Sequence, residues 1–290
     1  MAGASGQVSQ SLARRAHDRG TDLVAAGRPT LDLASRSSVV AAVRFAAPDV
    51  VVNAAAYTAV DKAETDADAA LQVNALGAGY LAEAAAAVDV PIIHISTDYV
   101  FDGTKSGPYL ETDRPNPLCV YGVSKLEGER RVAEANARHA IVRTAWVYSP
   151  YGSNFVKTML RLAADREEIG VVADQFGTPT YALDMADGLL DIAERVASGD
   201  ADDQWGVFHF ASPDDACWAD LAEATFEESR LHGGPTANVR RIATEDFPTP
   251  ARRPANSRLD TSKLRRVYGI QPQKWRAGLA DCVRRLMEAR

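Results

Sequence analysis

Tyr121-Gly-Val-Ser-Lys125 sets a phenol and an ammonium four residues apart, which on a helix places them on one face. A free tyrosine has a pKa near ~10, and a neighbouring cation favours the phenolate, so such a pair suits proton transfer to or from an oxygen. A Tyr-x-x-x-Lys spacing alone is weak, because chance supplies it readily; its position adds weight. It opens an expected helix, Tyr121–Asn136, directly after a loop over 101–118 that contains Gly103, Gly107, Pro108, Pro115 and Pro117. That loop follows a strand ending Ser96-Thr97-Asp98-Tyr99. A strand-end hydroxyl, Thr97, opposite a helix-borne Tyr121 and Lys125 forms a trio that polarises a carbonyl and protonates it.

A second constellation is Gly3-Ala-Ser-Gly6-Gln-Val-Ser9. Glycines let backbone N–H groups at Gly3, Gly6, Gln7 and Val8 approach a pyrophosphate at the positive end of a helix, expected over Gln7–Arg19. Ser9 stands where a third glycine is usual, and a plain turn remains the competing reading. A third is Asn53-Ala54-Ala55-Ala56-Tyr57 at a strand end, a shelf of small residues against which a flat cofactor could lie. Taken alone it is equally the start of a loop or helix. Ala25-Ala-Gly27-Arg28 stands where a dinucleotide fold chooses its ribose. An arginine there suits a 2′-phosphate and points to NADPH, with an exposed loop arginine as the alternative and NADH still possible.

The elements that must hold these groups alternate. Asp22–Ala26, Val50–Asn53 and Pro91–Ser96 have the apolar, β-branched character of buried parallel strands. Ser35–Ala46 and Ala69–Val88 have helical patterns between them. The alternation predicts an α/β, Rossmann-like doubly wound sheet with a smaller mixed α/β lobe. The division is expected near 148: residues 1–148 mainly bind the dinucleotide and 149–290 mainly the substrate, the two partly interleaved. Further on, the strands His139–Thr144, Ile169–Val172, Trp205–Phe210 and Asn238–Ile242 are expected. The helices Asn154–Asp165, Leu183–Val196, Trp218–Leu231, Thr261–Tyr268 and Trp275–Glu288 accompany them. Asp200–Asp203 reads as an acidic, solvated connection.

Composition excludes several classes. Among 290 residues, 32 Lys and Arg stand against 39 Asp and Glu, and a net charge of −7 gives no long-range attraction for nucleic acid or anionic lipid. No apolar run approaches the roughly 18–20 residues needed to span a bilayer, and Met1–Gln10 has neither a basic nor an apolar signal region, so the default compartment is the cytoplasm. Cys119, Cys217 and Cys282 are far apart and odd in number, and read as reduced thiols without metal spacing.

Together these features resemble the extended short-chain dehydrogenase/reductase superfamily and, within it, the dTDP-4-dehydrorhamnose reductase family. The resemblance rests on Val52-Asn-Ala-Ala-Ala-Tyr-Thr-Ala-Val-Asp-Lys-Ala-Glu64, His94-Ile-Ser-Thr-Asp-Tyr-Val-Phe-Asp-Gly103, Arg143-Thr-Ala-Trp-Val-Tyr148, Asn154–Leu162, Asp174-Gln-Phe-Gly-Thr-Pro-Thr180 and Pro248–Leu259, and so covers nearly the whole chain. It implies hydride transfer from NADPH to C4 of a dTDP-4-keto-6-deoxy sugar, the last step of dTDP-L-rhamnose synthesis. It also implies that Tyr121 protonates the C4 oxygen, Lys125 lowers the Tyr pKa and holds the nicotinamide ribose, and Thr97 hydrogen-bonds the sugar oxygen. Asp98, Tyr99 and Trp146 match positions beside the sugar. Arg253, Asn256, Ser257 and Arg258 match a block near the nucleotide, where an arginine pair suits a pyrophosphate. Asp32 and Leu33 look like the family's adenine-edge pair.

Departures narrow the expectation. Ser11 and Leu183 stand where some members carry glutamates that bind magnesium at a dimer interface, so no metal is expected, and a monomer or homodimer stays open. Related 4,6-dehydratases have Asp-Glu after the threonine; here the pair is Asp98-Tyr99. An epimerase, or a non-catalytic cofactor-binding subunit like the methionine adenosyltransferase β subunit, are the remaining alternatives; Arg143-Thr-Ala-Trp146 and the Arg253–Arg258 block favour the enzyme. One feature runs against the pattern. A strand of about five or six residues should precede the glycine turn, and only Met1-Ala2 do. The expectation is a sheet lacking its first, central strand, either because translation begins upstream or because the chain is a weakly binding remnant; the former is favoured.

Overall fold

The computed structural model describes residues 1–199 and 204–289, so the acidic connection expected at Asp200–Asp203 lies outside the described residues. Four parallel strands, Val51–Asn53, Ile92–Thr97, His139–Thr144 and Gly206–His209, lie side by side in that order. Their registers pair Val51 with Ile92, Ile92 with His139 and Ala140 with Gly206. Successive side chains point to opposite faces of a strand, and the core divides accordingly. Val51, Ile92 and Ile141 meet the helices Arg36–Ala46, Ala78–Ala87 and Val120–Ala135. Val52, Ile93 and Val142 meet Gln7–Arg19, Ala182–Ser198 and Ser262–Tyr268. Burial on both faces is why these strands read as unbroken apolar runs.

The fourth strand comes from the second half of the chain, so the halves interleave in the sheet. The rest of that half forms short ladders. Glu168–Val172 pairs in parallel with Asn238–Ile242, Val147–Tyr148 with Thr180–Tyr181, and Phe176–Gly177 antiparallel with Ala216–Cys217. The helices Phe155–Leu162, Trp218–Leu231 and Trp275–Glu288 pack on them through Val156, Leu160, Leu221, Trp275 and Leu279. Side-chain caps mark two of the expected helix starts: Ser35 accepts from the Ser38 amide at 3.3 Å, and Asn154 from the Lys157 amide at 3.1 Å.

Two expectations are corrected. Asp22–Ala26 forms no strand; only Ala26 makes a bridge, to Ala2. Ala2 also bridges Asn53, its amide donating to the Val52 carbonyl at 2.8 Å, so Met1–Gly3 lie between Ala26 and Asn53. A ladder extends only as far as both partners do, and here Ala2 alone bridges both neighbours. The helix expected over Ala69–Val88 is present and continuous but not uniform: Ala67–Leu71 and Ala78–Ala87 are α-helical, and Gln72–Gly77 between them is wider, with π-type hydrogen bonding. Such widenings gather at functional sites, and this one carries Asn74.

Candidate functional site

The glycine turn meets the alanine shelf directly. Gly3 has φ +104°, and a Cβ there would sit 2.8 Å from Ser9 Oγ and 3.1 Å from the Ala55 nitrogen, so only glycine fits. The following helix starts at Gly6 without a side-chain cap and has no acidic residue in its first turn, while Ser9 Oγ is buried with no protein partner. The Gly3 amide is taken by the Ala26 carbonyl at 2.8 Å, but the amides at the helix start, its positive end and an orphan hydroxyl fit a pyrophosphate. Ala54 and Ala55 are fixed by bonds to the Ala2 carbonyl and Asn53 Oδ1, and the Tyr57 amide donates to Asn74 Oδ1 at 2.8 Å. Arg28 is exposed on the turn beyond Ala26, Asp32 is half-buried, and Leu33 is buried beside them.

The expected trio converges. Thr97 ends its strand and Tyr121 stands in the first turn of the helix Val120–Ala135, with the Thr97 hydroxyl among the groups that bear on the phenol. The helix approach is tight, because Gly122 lies where a Cβ would be 2.2 Å from the Tyr99 carbonyl. Lys125 is 2% exposed and donates to the Ile95 carbonyl at 2.7 Å, with His94 Nε2 at 3.4 Å. Burial pushes its ammonium down to about 8, opposed by Glu129, and burial drives His94 far below its usual range, with Lys125 adding to it. The Tyr121 phenol is instead raised well above its usual range, first by burial, with Thr97 opposing and Asp98 adding. The expected lowering by Lys125 is thus not what the geometry gives, since the ammonium turns to the strand carbonyl. Burial thus keeps the phenol in the protonated form that a donor needs while making it a weaker acid, so transfer requires negative charge on the acceptor oxygen.

Asp98, beside the trio, is buried and pushed up to about 6 by burial, against hydrogen bonds from Ser257 and Thr97. Its Oδ2 has no protein partner. Tyr99 stands edge-on to Tyr121 at 5.7 Å. Trp146 has φ +49° and stacks on Trp218 at 3.5 Å between ring centres. The C-terminal block splits by partner. Arg253 forks onto Asp61 at 2.8 and 3.0 Å. Asn256 donates to the Lys105 and Gly107 carbonyls, and Arg258 reaches the Ser106 carbonyl and Asp215, tying the 101–118 loop to this block.

Several groups escaped the sequence reading. Asn74 holds the Tyr57 carbonyl and Ser124 Oγ at 3.0 and 2.9 Å, so one amide joins the shelf to the Tyr121 helix. Glu129, one turn after Lys125, forks onto buried Arg143 at 2.6 and 2.9 Å and accepts from Ser96 Oγ at 2.5 Å. Trp218 carried no local signal. Among the described residues no helix is long and apolar enough to cross a membrane, and no cluster of His, Cys, Asp or Glu could hold a metal.

The family model for the RmlD substrate binding domain matches residues 1–288. A dTDP-4-dehydrorhamnose reductase of Sinorhizobium fredii is 50% identical over 273 residues, 94% of this chain and 92% of its own. The crystal structure of a dTDP-4-dehydrorhamnose reductase from Clostridium acetobutylicum is similar with a TM-score of 0.91 and 37% identity, covering 98% of both chains. That of a Bacillus anthracis counterpart in complex with NADP has a TM-score of 0.90 and 35% identity, covering 98% of this chain and 97% of its own.

Proposed function

The chain belongs to the family that the RmlD substrate-binding-domain model describes, and from that premise we propose how its own residues carry the NADPH-dependent reduction of dTDP-4-dehydro-L-rhamnose to dTDP-L-rhamnose. The observation that carries this reading is the placing of Thr97 at a strand end with buried Tyr121 and Lys125, the Lys125 ammonium on the Ile95 carbonyl, and one strand, Val51–Asn53, between that strand and the Ala2 bridge leading into a glycine turn closed against the Ala54–Ala55 shelf.

NADPH supplies the hydride. Gly6, Gln7 and Val8 would offer the turn's amides to its pyrophosphate, with Gly3, whose own amide is taken by the Ala26 carbonyl, leaving the room that a side chain would fill; Ala54–Tyr57 would line its flat side, and Asp32 and Leu33 would border the adenine. Arg28, exposed on the turn beyond Ala26, would pair with the 2′-phosphate. On the substrate side, Thr97 would turn its hydroxyl from Asp98 Oδ1, to which it donates at 2.9 Å, towards the C4 oxygen, and Tyr121, kept protonated by burial, gives that oxygen its proton as negative charge develops. Lys125, poised near 8, holds the nicotinamide ribose and follows the proton balance of the site. Asp98, Tyr99 and Trp146 flank the sugar. Arg253, Asn256, Ser257 and Arg258 face the nucleotide end, Arg253 exchanging one arm of its fork on Asp61 for a phosphate oxygen.

The sheet-bearing part, mainly residues 1–148, holds the cofactor, and 149–290 mainly holds the nucleotide sugar. A cytoplasmic monomer or homodimer without a nucleic-acid or metal partner completes the reading. Incubating the purified protein with NADPH and dTDP-4-dehydro-L-rhamnose tests it: NADPH absorbance should fall in step with dTDP-L-rhamnose appearing. Product without net NADPH consumption would indicate an epimerase, and no turnover alongside a stable synthetase partner a regulatory subunit.

A further inference from the structure

Gln7 is the first residue of the helix that follows the glycine turn, yet its side chain leaves that lobe. Its Nε2 donates to the Val147 carbonyl at 3.3 Å, and its Oε1 accepts from Ser149 Oγ and Asn154 Nδ2, both at 2.9 Å. The three partners are not otherwise loose. Asn154 also donates to the Ser149 carbonyl at 2.8 Å and caps the helix Phe155–Leu162, and Ser149 Oγ is shared with Tyr151. Val147 directly follows Trp146 and pairs with Thr180, whose amide donates to the Trp146 carbonyl at 3.2 Å. Trp146 itself is held at φ +49°, a backbone state that a bulky residue keeps only when its surroundings impose it. Stacking on Trp218 fixes the indole from one side. The Gln7 amide fixes the main chain one residue further on.

We propose that Gln7 is a positioning residue that couples the two subsites: its backbone belongs to the turn facing the cofactor, and its side chain sets the Val147–Asn154 segment and through it Trp146. This rests on the reading that the cofactor occupies the Gly3–Val8 turn and the sugar packs near Trp146. Ordering the turn orders the amide, and the ordered amide prepares the sugar wall. Nucleotide sugar therefore binds more tightly to protein already holding cofactor, and by reciprocity cofactor binds more tightly in the presence of the sugar.

Calorimetric titration of dTDP-L-rhamnose, with and without saturating NADP⁺, measures the coupling. In the wild type the sugar nucleotide gains about tenfold in affinity when NADP⁺ is present, within the usual span of such couplings. Gln7→Met keeps the side-chain length but removes all three bonds, and its coupling falls to near unity; the affinity for NADP⁺ alone, expected within about threefold of the wild type, is checked on Ser149→Ala, which lies outside the turn. Ser149→Ala, which deletes one partner on the far side and no residue of the turn, lowers the coupling by about threefold and serves if Gln7→Met fails to fold. A wild type that binds both ligands without coupling, or variants that keep the wild-type coupling, overturns the proposal alone. A wild type that binds neither ligand overturns the functional reading and the proposal together.

Discussion

The molecule uses the same pair of groups, an arginine forked on a carboxylate, in two very different places. Behind Lys125, Arg143 and Glu129 are 4% and 5% exposed, and the carboxylate also takes the Ser96 hydroxyl. At the edge of the C-terminal block, Arg253 and Asp61 are 22% and 42% exposed. Burial strips both ions of water, so the inner pair holds only while both partners are present; losing one strands a charge in the core. The outer pair remains screened and partly hydrated, so it costs little to open. The proposed site would use both kinds: an interior that keeps Tyr121 and Lys125 in place, and a rim whose cation can leave its carboxylate for a phosphate.

Substitutions that strike one side and spare the other break or sharpen this contrast. The largest expected effect is at the inner face itself: Tyr121→Phe removes the proton donor and should depress the hydride-transfer rate by about 10²–10⁴-fold with NADPH binding nearly intact. Single-turnover absorbance measurements decide it, and an unchanged rate removes Tyr121 from that role. Next, Glu129→Ala leaves Arg143 buried and unpaired and should cost about 3–5 kcal/mol of stability, read from urea unfolding. A loss below about 1 kcal/mol would place the inner pair in the same class as surface pairs.

Asp98 supplies a test in pH. Its carboxyl sits above its usual 3.8, at about 6, so between those values the folded state holds a proton that the unfolded chain has lost. Stability should therefore fall as pH rises through that window and level off above it. Asp98→Asn should remove this component of the pH dependence, and an identical profile in the variant would assign it elsewhere. The smallest effect is expected at the rim: Asp61→Ala should change unfolding stability by less than about 1 kcal/mol. It should act instead on the KM for the sugar nucleotide, by releasing Arg253. A stability loss matching that of Glu129→Ala would erase the distinction.

The helices Gln7–Arg19, Trp218–Leu231 and Trp275–Glu288 and the strands His139–Thr144 and Asn238–Ile242 lie where their periodicity predicts. Their signals are local: spacing of apolar residues, capping side chains and breakers. Tyr121 and Lys125 were legible for the same reason, as neighbours one helical turn apart. Asp22–Ala26 misled because a strand's character does not supply its partner, and Ala69–Val88 because Asn74 takes bonds across to Tyr57 and Ser124. The Lys125 ammonium turned to the Ile95 carbonyl, so burial, rather than the lysine, governs the phenol.

By itself, then, the sequence determined the alternating sheet, the glycine turn and the placing of Tyr121 and Lys125 on one face of one helix, because each depends on residues within a few positions of one another. Only the tertiary structure decided which carboxylate meets which guanidinium, where the Lys125 charge points, and that Gln7 reaches Val147 across 140 residues. Those outcomes depend on how far each group is removed from water and on which distant elements pack against it, and neither quantity is carried by spacing along the chain.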